Sequence, residues 1–286
     1  MLVEVCHRTR YEYESEVLLG VHQLMLRPRE GVDLQLLSFD LEIRPEGRIR
    51  WGRDVFGNWV TWVLFRDKAK VLEVVSRSKV RLQSLEGGDR GSAENLREFP
   101  FGYDAEEQKD LEPYLKLEYE EDRMVIRQWL GQLWRPMQRV DVSELLSLLV
   151  RKIHTEFAYQ RRDEMGVQSP GETLRRRRGS CRDFAVLCME SCRALGIASR
   201  FVSGYILPAN GESMEHGSTH AWAEVYLPGM GWIGMDPTIG EWCDHNHVAV
   251  AATRHALQAA PVSGYFGGNA TAYRGLFVDV SIRLIE

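Results

Sequence analysis

The sequence has no run near the ~20 consecutive apolar residues that a membrane span needs. Its first residues, MLVEVCHRTRYEYESE, carry charges throughout and contain no apolar leader core, so no secretory signal is read there. A basic excess is also missing. The 36 Lys and Arg stand against 41 Asp and Glu, a net charge of −5, which argues against a nucleic-acid partner. Cysteine is sparse and irregular: five residues, an odd number without repeated spacing, do not make a disulfide framework. Together these absences lead to the expectation of a cytoplasmic protein in a reducing compartment, with neither membrane nor nucleic acid as partner. No internal repeat occurs. At 286 residues, with 44% hydrophobic positions, the chain can nonetheless bury one large core or two of ordinary size.

The patterning divides the chain. Leu2–Tyr13, Gly20–Arg29, Gln35–Arg44, Val60–Phe65 and Lys70–Gln83 read as strands, with a turn at Gly57-Asn58, so residues 1–90 are expected to form a β-sandwich-like domain. A linker is placed at 91–118, marked by the aperiodic stretch GGDRGSAEN at 87–95. Residues 119–286 then read as one helix-then-sheet unit, giving an α+β fold. Its helices are expected at 119–134, at 142–157 with Asp141 or Ser143 as cap, in a short segment after Ser169-Pro170, and from Cys181 to a Gly196 terminator. Its strands are expected at 198–205, 219–226, 232–236 and 275–285.

Three cysteines share the long helix. Phe184, Leu187, Cys188, Ser191, Cys192 and Leu195 make one apolar stripe, on which Cys188 and Cys192 read as packed core thiols. Cys181 differs because it lies at the helix start, where free backbone N–H groups and the helix dipole favour a thiolate. A thiolate needs a base, and the base needs an orienter. His220 opens the alternating segment HAWAEVYLPG, and Asp236 closes the next one, GWIGMDPT. Strand parity predicts Tyr226 opposite Trp232, which puts Asp236 opposite Trp222 and diagonal to His220, within side-chain reach. A slip of one residue would send the carboxylate to the other face.

The segments GSCRDFAVLCMESCRALGIASRFVSGY and THAWAEVYLPGMGWIGMDPT closely resemble the core of the transglutaminase-like superfamily of papain-like thiol enzymes. The stretches HRTRYEYES, HQLMLRPRE and DVFGNWV resemble the β-rich N-terminal domain that precedes this core in a bacterial branch. That resemblance implies a papain-like core, with Cys181 as acyl-accepting nucleophile, His220 as base and Asp236 as orienter. It also implies a peptide or protein amide as substrate and no cofactor. Whether water or an amine resolves the thioester, making the protein a cysteine peptidase or amidohydrolase or a protein-glutamine acyltransferase, stays open. The Cys181 N–H is one expected oxyanion donor. Tyr159 is the first candidate for the second, with Gln160 and Gln168 as alternatives, and Trp222 and Arg182 are candidate site neighbours. Arg175–Arg178 read first as a solvated helix face; the alternative is that, with Arg161, Arg162 and Arg182, they make a basic cleft rim that favours acidic peptides.

Two other classes compete. One is a peptide-binding module of the same fold without activity. The other is a zinc protein using His216 and His220, or Cys243, His245 and His247. In a strand, however, His216 and His220 would lie ~13 Å apart, and the CDHNH cluster has no Cys-x-x-Cys. No metal is therefore expected.

Overall fold

A computed structural model describes residues 1–83, 98–162, 164–207 and 219–285, and the backbone alone at 214–217. The stretch at 87–95 that marked the linker lies outside the described residues. The fold is mixed α+β with antiparallel sheets, and three layers position the site. The middle layer is a five-stranded sheet in the order Glu241–Trp242, Gly231–Asp236, His220–Leu227, Ser199–Ile206, His247–Thr253. One face of this sheet packs on helices. Ala221, Ala223 and Val225 share a buried cluster with Phe184, Leu187 and Cys188 of helix α5 and with Leu146, Leu149 and Ile153 of helix α3. Its other face packs on the N-terminal sheet, where Tyr205 and Val248 meet Val3, Val5, Val80 and Ile282.

The helices are α1 (Ala105–Leu115), α2 (Arg123–Leu130), α3 (Val142–Glu156), α4 (Pro170–Arg176) and α5 (Cys181–Ala194). Local chemistry sets several of their ends. Asp141 caps α3 by accepting from Ser143 N at 2.8 Å and Glu144 N at 3.1 Å. Gly196, at φ +82, stops α5 in a left-handed turn that favours glycine. The stripe expected on α5 is wider than the sequence indicated. Every residue from Asp183 to Arg193 is buried, because α5 lies between the sheet and helices α2, α3 and α4. Its two mid-helix charges satisfy each other: Arg193 Nη1 donates to Glu190 Oε1 at 2.8 Å, both side chains being fully buried. Glu190 also accepts from the Glu118 and Tyr119 N–H groups, which ties the segment before α2 to the core helix.

Three elements differ from what the patterning leads one to expect. Strand Tyr273–Leu284, assigned to the core, pairs along Leu2–Leu19, from Val3 opposite Leu284 to Tyr13 opposite Tyr273. The chain therefore closes on its own first strand. The expected linker contains α1, which was missed because only Leu111 is buried and the helix is held by its cap, Asp104, and Glu107. The helix expected over 119–134 is cut to a 3-10 turn at Glu120–Asp122 and the eight residues of α2. Among the N-terminal strands, Lys68–Leu82 pairs with both Leu2–Leu19 and Leu34–Arg44, while His22–Leu24, Arg48–Arg53 and Trp59–Leu64 build a second, smaller sheet. Leu72 and Val74 of the larger sheet bury against Leu24 and Val63 of the smaller one, which makes this region sandwich-like.

The N-terminal region also grips the core sheet. In the turn 54–58, Gly57 takes φ +77, and Asp54 Oδ1 accepts from Phe56 N and Asn58 N at 2.9 and 2.8 Å. This aims the buried Asn58 amide at strand His247–Thr253. There Asn58 Nδ2 donates to Ala252 O, and Ala252 N donates to Asn58 Oδ1, both at 2.9 Å. Arg29 donates to the same Oδ1. Asn58→Leu keeps the approximate volume but leaves two buried backbone groups of Ala252 unpaired. At ~1–3 kcal/mol per orphaned group, a loss of about 3 kcal/mol or more in chemical denaturation is expected. A change below ~0.5 kcal/mol, the scale of neutral surface substitutions, would mean that the grip contributes nothing.

Candidate active site

Cys181 is the first residue of α5, preceded by Ser180 as cap. The helix start is pinned by the buried Asp183 carboxylate, which accepts from Ser180 N at 2.8 Å, Ser180 Oγ at 2.9 Å and Gln168 N at 2.7 Å. Arg162 completes the cluster, its Nη1 donating to both Asp183 oxygens at 2.7 and 2.8 Å. Burial pushes the Asp183 carboxyl up, but Arg162 and these N–H donors outweigh it and hold the group ionised. The Arg162 charge offsets a carboxylate that would otherwise oppose a thiolate two residues away. The thiol itself is partly exposed.

His220 and Asp236 meet as the hairpin parity requires. Tyr226 lies opposite Trp232, and the ladder runs on to Ala223 opposite Met235, so Asp236 follows on the face shared by His220 and Trp222. Asp236 Oδ2 accepts from His220 Nε2 at 2.6 Å, and Oδ1 accepts from Thr238 N at 2.8 Å. The Cys181 thiol hydrogen-bonds the same imidazole, for which Nδ1 is the remaining nitrogen. Burial works against charge on His220, yet the bonds to Asp236 and Cys181 and their negative charges push its pKa up to about 10. Asp236 shows the complement: burial raises it, while His220 and His247 together drive it far below the carboxylate range. Cys181 and His220 are each the first residue of their element, so sulfur and ring meet where helix and strand begin.

One member of this cluster was not foreseen as such. His247 Nε2 lies 3.2 Å from the same Asp236 Oδ2, and its Nδ1 lies 3.2 Å from Asp244 Oδ1. The sequence reading treated His247 only as a zinc candidate and did not assign its strand, His247–Thr253. The alternation in HVAVAAT was the available signal, diluted by alanine. The potential ligand atoms of His220, Asp236 and His247 lie within 4.8 Å of one another. The 2.6 Å His220–Asp236 separation suits a hydrogen bond rather than two ligands of one ion, since Zn–N and Zn–O bonds of about 2 Å put such atoms farther apart. His216 lies in a different strand, Met214–Gly217, paired with Tyr273–Leu284, and its side chain is outside the described residues.

The remaining candidates separate. Tyr159 is 54% exposed and lies beside the helix start, where its short strand pairs with Arg178-Gly179 and its ring sits edge-on to Phe184 at 6.4 Å. Burial raises its phenol, and the Cys181 and Asp236 charges push the same way. Gln160 is exposed and gives its N–H to Gly179 O. Gln168 is buried, with its Oε1 accepting from Thr173 Oγ1 at 3.4 Å. Trp222 is buried rather than facing a cleft, and it packs against both imidazoles, tilted on His220 at 6.1 Å and edge-on to His247 at 5.2 Å. Arg182 donates to the carbonyls of Arg162 and Glu164, so it holds a loop. The basic rim is correspondingly weaker than the sequence suggests. Arg162 is spent on Asp183, while Arg176 pairs with Glu172 at 2.6 Å and Arg177 with Glu156 at 2.7 Å.

Comparison with known proteins agrees with this architecture. Residues 3–81 match the bacterial transglutaminase-like N-terminal region, and residues 137–237 match the transglutaminase-like superfamily. An uncharacterized protein of Mycobacterium tuberculosis is 28% identical, with 98% of this chain and 91% of that protein covered. A protein-glutamine gamma-glutamyltransferase of Pseudomonas aeruginosa is 34% identical over 99 residues, 32% of this chain and 15% of that protein. The crystal structure of a proposed cysteine protease from Cytophaga hutchinsonii shares the fold, with TM-score 0.73 and 19% identity over 98% of this chain and 90% of that one. Both regions are matched in order, and the partnered Cys, His and Asp side chains fall inside the second, so residues 137–237 match a transglutaminase-like superfamily core and residues 3–81 the bacterial N-terminal region that goes with it.

Proposed function

We propose that the protein is a thiol-dependent acyl-transfer enzyme that cleaves amide bonds through a thioester on Cys181, with His220 and Asp236 completing a catalytic triad. The match of residues 137–237 to the transglutaminase-like superfamily supports thiol-dependent amide chemistry in general. The observation that carries the finer reading is the continuous run of hydrogen bonds from the Cys181 thiol through His220 to the buried Asp236. His220 is held protonated through neutral pH and gives up its proton only as pH rises through about 10, so the ring carries the proton that the departing group needs. The proposed mechanism starts from Cys181 as the thiolate beside this imidazolium, at a helix start that favours an anion. The thiolate attacks the amide carbonyl carbon and forms the C–S bond. As the C–N bond breaks, the proton on His220 Nδ1 passes to the departing nitrogen. His220, now neutral, takes a proton from the incoming water or amine, which displaces the sulfur and restores the pair.

Charge on the carbonyl oxygen develops beside the N-terminus of α5. There the Cys181 N–H, at the first helical position, has no acceptor within its own helix to satisfy it. Tyr159 is our assignment for the second donor, on the strength of its exposure and its position beside Cys181. Hydrolysis is the first reading, giving a cysteine peptidase or amidohydrolase. Transfer to an amine is the second, favoured by the 34% identity to a protein-glutamine gamma-glutamyltransferase. The test is to incubate the protein with a peptide library, quench in acid and identify the adduct by mass spectrometry. A thioester-linked acyl group confined to the Cys181 peptide is expected. Acyl groups found only on other residues, with substrate still turned over, would reject the reading. Adding a primary amine then separates the two outcomes by the product formed.

A further inference from the structure

We propose that His247 is a positioning residue for this site, delivering a second imidazole N–H to the Asp236 oxygen that orients His220. The inference rests on the reading of Cys181, His220 and Asp236 given above. The His247 side chain is only 3% exposed, so both ring nitrogens have to find partners within the protein. Nε2 faces Asp236 Oδ2 at 3.2 Å. Nδ1 faces two groups of Asp244, the backbone N–H and the carboxylate Oδ1, each at 3.2 Å.

That pairing makes the direction of the Asp236 bond independent of the charge on His247. In the neutral ring, Nδ1 accepts the Asp244 N–H, so the single ring proton sits on Nε2 and points at Asp236. In the charged ring, Nδ1 donates to the Asp244 carboxylate and Nε2 still donates to Asp236. In either state Asp236 Oδ2 receives two imidazole N–H groups, while Oδ1 is held by Thr238 N. A carboxylate fixed at both oxygens cannot rotate away from His220.

The scaffold behind His247 is built for position. The residue opens strand His247–Thr253 opposite Ile206, and a bulge at Ser203/Gly204 sets the register. A side chain at Gly204 would collide with the Val248 carbonyl and with Trp222, so this close approach requires glycine. Trp222 packs against both rings, and the Asn58 amide grips the far end of the same strand at Ala252.

The test compares side chains that reach Asp236 with side chains that do not. Acylation of Cys181 by p-nitrophenyl acetate is followed by release of p-nitrophenolate, alkylation by iodoacetamide is followed by mass, and folding is followed by circular dichroism. Partners that orient metal-bound imidazoles contribute ~10–100-fold, and by that comparison both rates should fall by about the same factor in His247→Leu. His247→Gln places an amide N–H near the Nε2 position and should stay within about threefold of the parent, well inside that range. His247→Asn reaches only the Nδ1 position and should be as slow as the leucine variant. It also keeps the comparison meaningful if leucine prevents folding. A residue that merely fills space would give equal rates per folded molecule in the glutamine and asparagine variants. That equality, or a folded leucine variant reacting at the parent rate, would overturn the proposal. Cys181→Ala serves as the control: if it were still acylated at the parent rate, the underlying reading would fail. If it is inert while His247→Leu is fully reactive, only the positioning role fails.

Discussion

Cys181→Ala is expected to reduce turnover to the background rate while leaving the thermal midpoint nearly unchanged. The two halves of this expectation have separate causes. No other cysteine is placed to form the thioester: Cys188 and Cys192 are fully buried two and three turns along α5, Cys6 lies in strand Leu2–Leu19, and Cys243 follows strand Glu241–Trp242. The fold, by contrast, loses one sulfur from a partly exposed position at a helix start that is pinned by Asp183, Arg162 and Gln168 rather than by the thiol. Large truncations in a closed core cost ~2–5 kcal/mol, and far less is expected here. The measurement is hydrolysis of a peptide amide identified by the trapping experiment, paired with calorimetry on the same preparation. Turnover at the parent rate would end the thiol-enzyme reading. A loss of several kcal/mol would instead mark Cys181 as a core residue.

Asp236→Asn should retain the fold and slow the enzyme by ~10²–10³-fold. The reason lies in the donors that converge on this side chain. Thr238 N donates to one oxygen, and the two imidazoles donate to the other. An asparagine has one oxygen and one NH₂. With its oxygen toward Thr238, the NH₂ confronts two ring nitrogens that must then give up their protons. With the amide turned round, NH₂ confronts the Thr238 N–H. The first arrangement cannot accept the His220 Nε2 proton, the second sets NH₂ against the Thr238 N–H, and in both the negative charge that keeps the ring protonated is gone. In a serine triad the equivalent change costs ~10⁴-fold. A thiol is the stronger acid and needs less help from the base, hence the smaller figure. The pH profile supplies a second reading. The alkaline limb of Cys181 alkylation should move down from about 10 toward the ordinary histidine value, because a raised pKa falls when its anionic partner is removed. Full activity together with an unshifted limb would remove Asp236 from the mechanism.

What could be read from the sequence follows the range of the forces involved. The start of α5 at Cys181, its end at Gly196 and the Asp141 cap are set by bonds spanning a few residues, and the composition records them directly. The hairpin that joins His220 to Asp236 is nearly as local. Strand alternation and a short loop between Leu227 and Gly231 leave a register in which both side chains share a face.

The rest depended on partners far along the chain. Periodicity tells a residue to be buried but not against what, so α5 read as striped although α2, α3, α4 and the sheet enclose it and Glu190 pairs with Arg193 inside. The Asn58 grip joins positions 194 apart, and the last strand returns to the first. His247 reaches Asp236 only because its strand pairs with Ser199–Ile206 on the side of the sheet away from the hairpin. Such pairings carry no local signature, since any alternating strand can hydrogen-bond any other. The competition among whole-chain packings selects one, and that selection turned three separate motifs into one buried network.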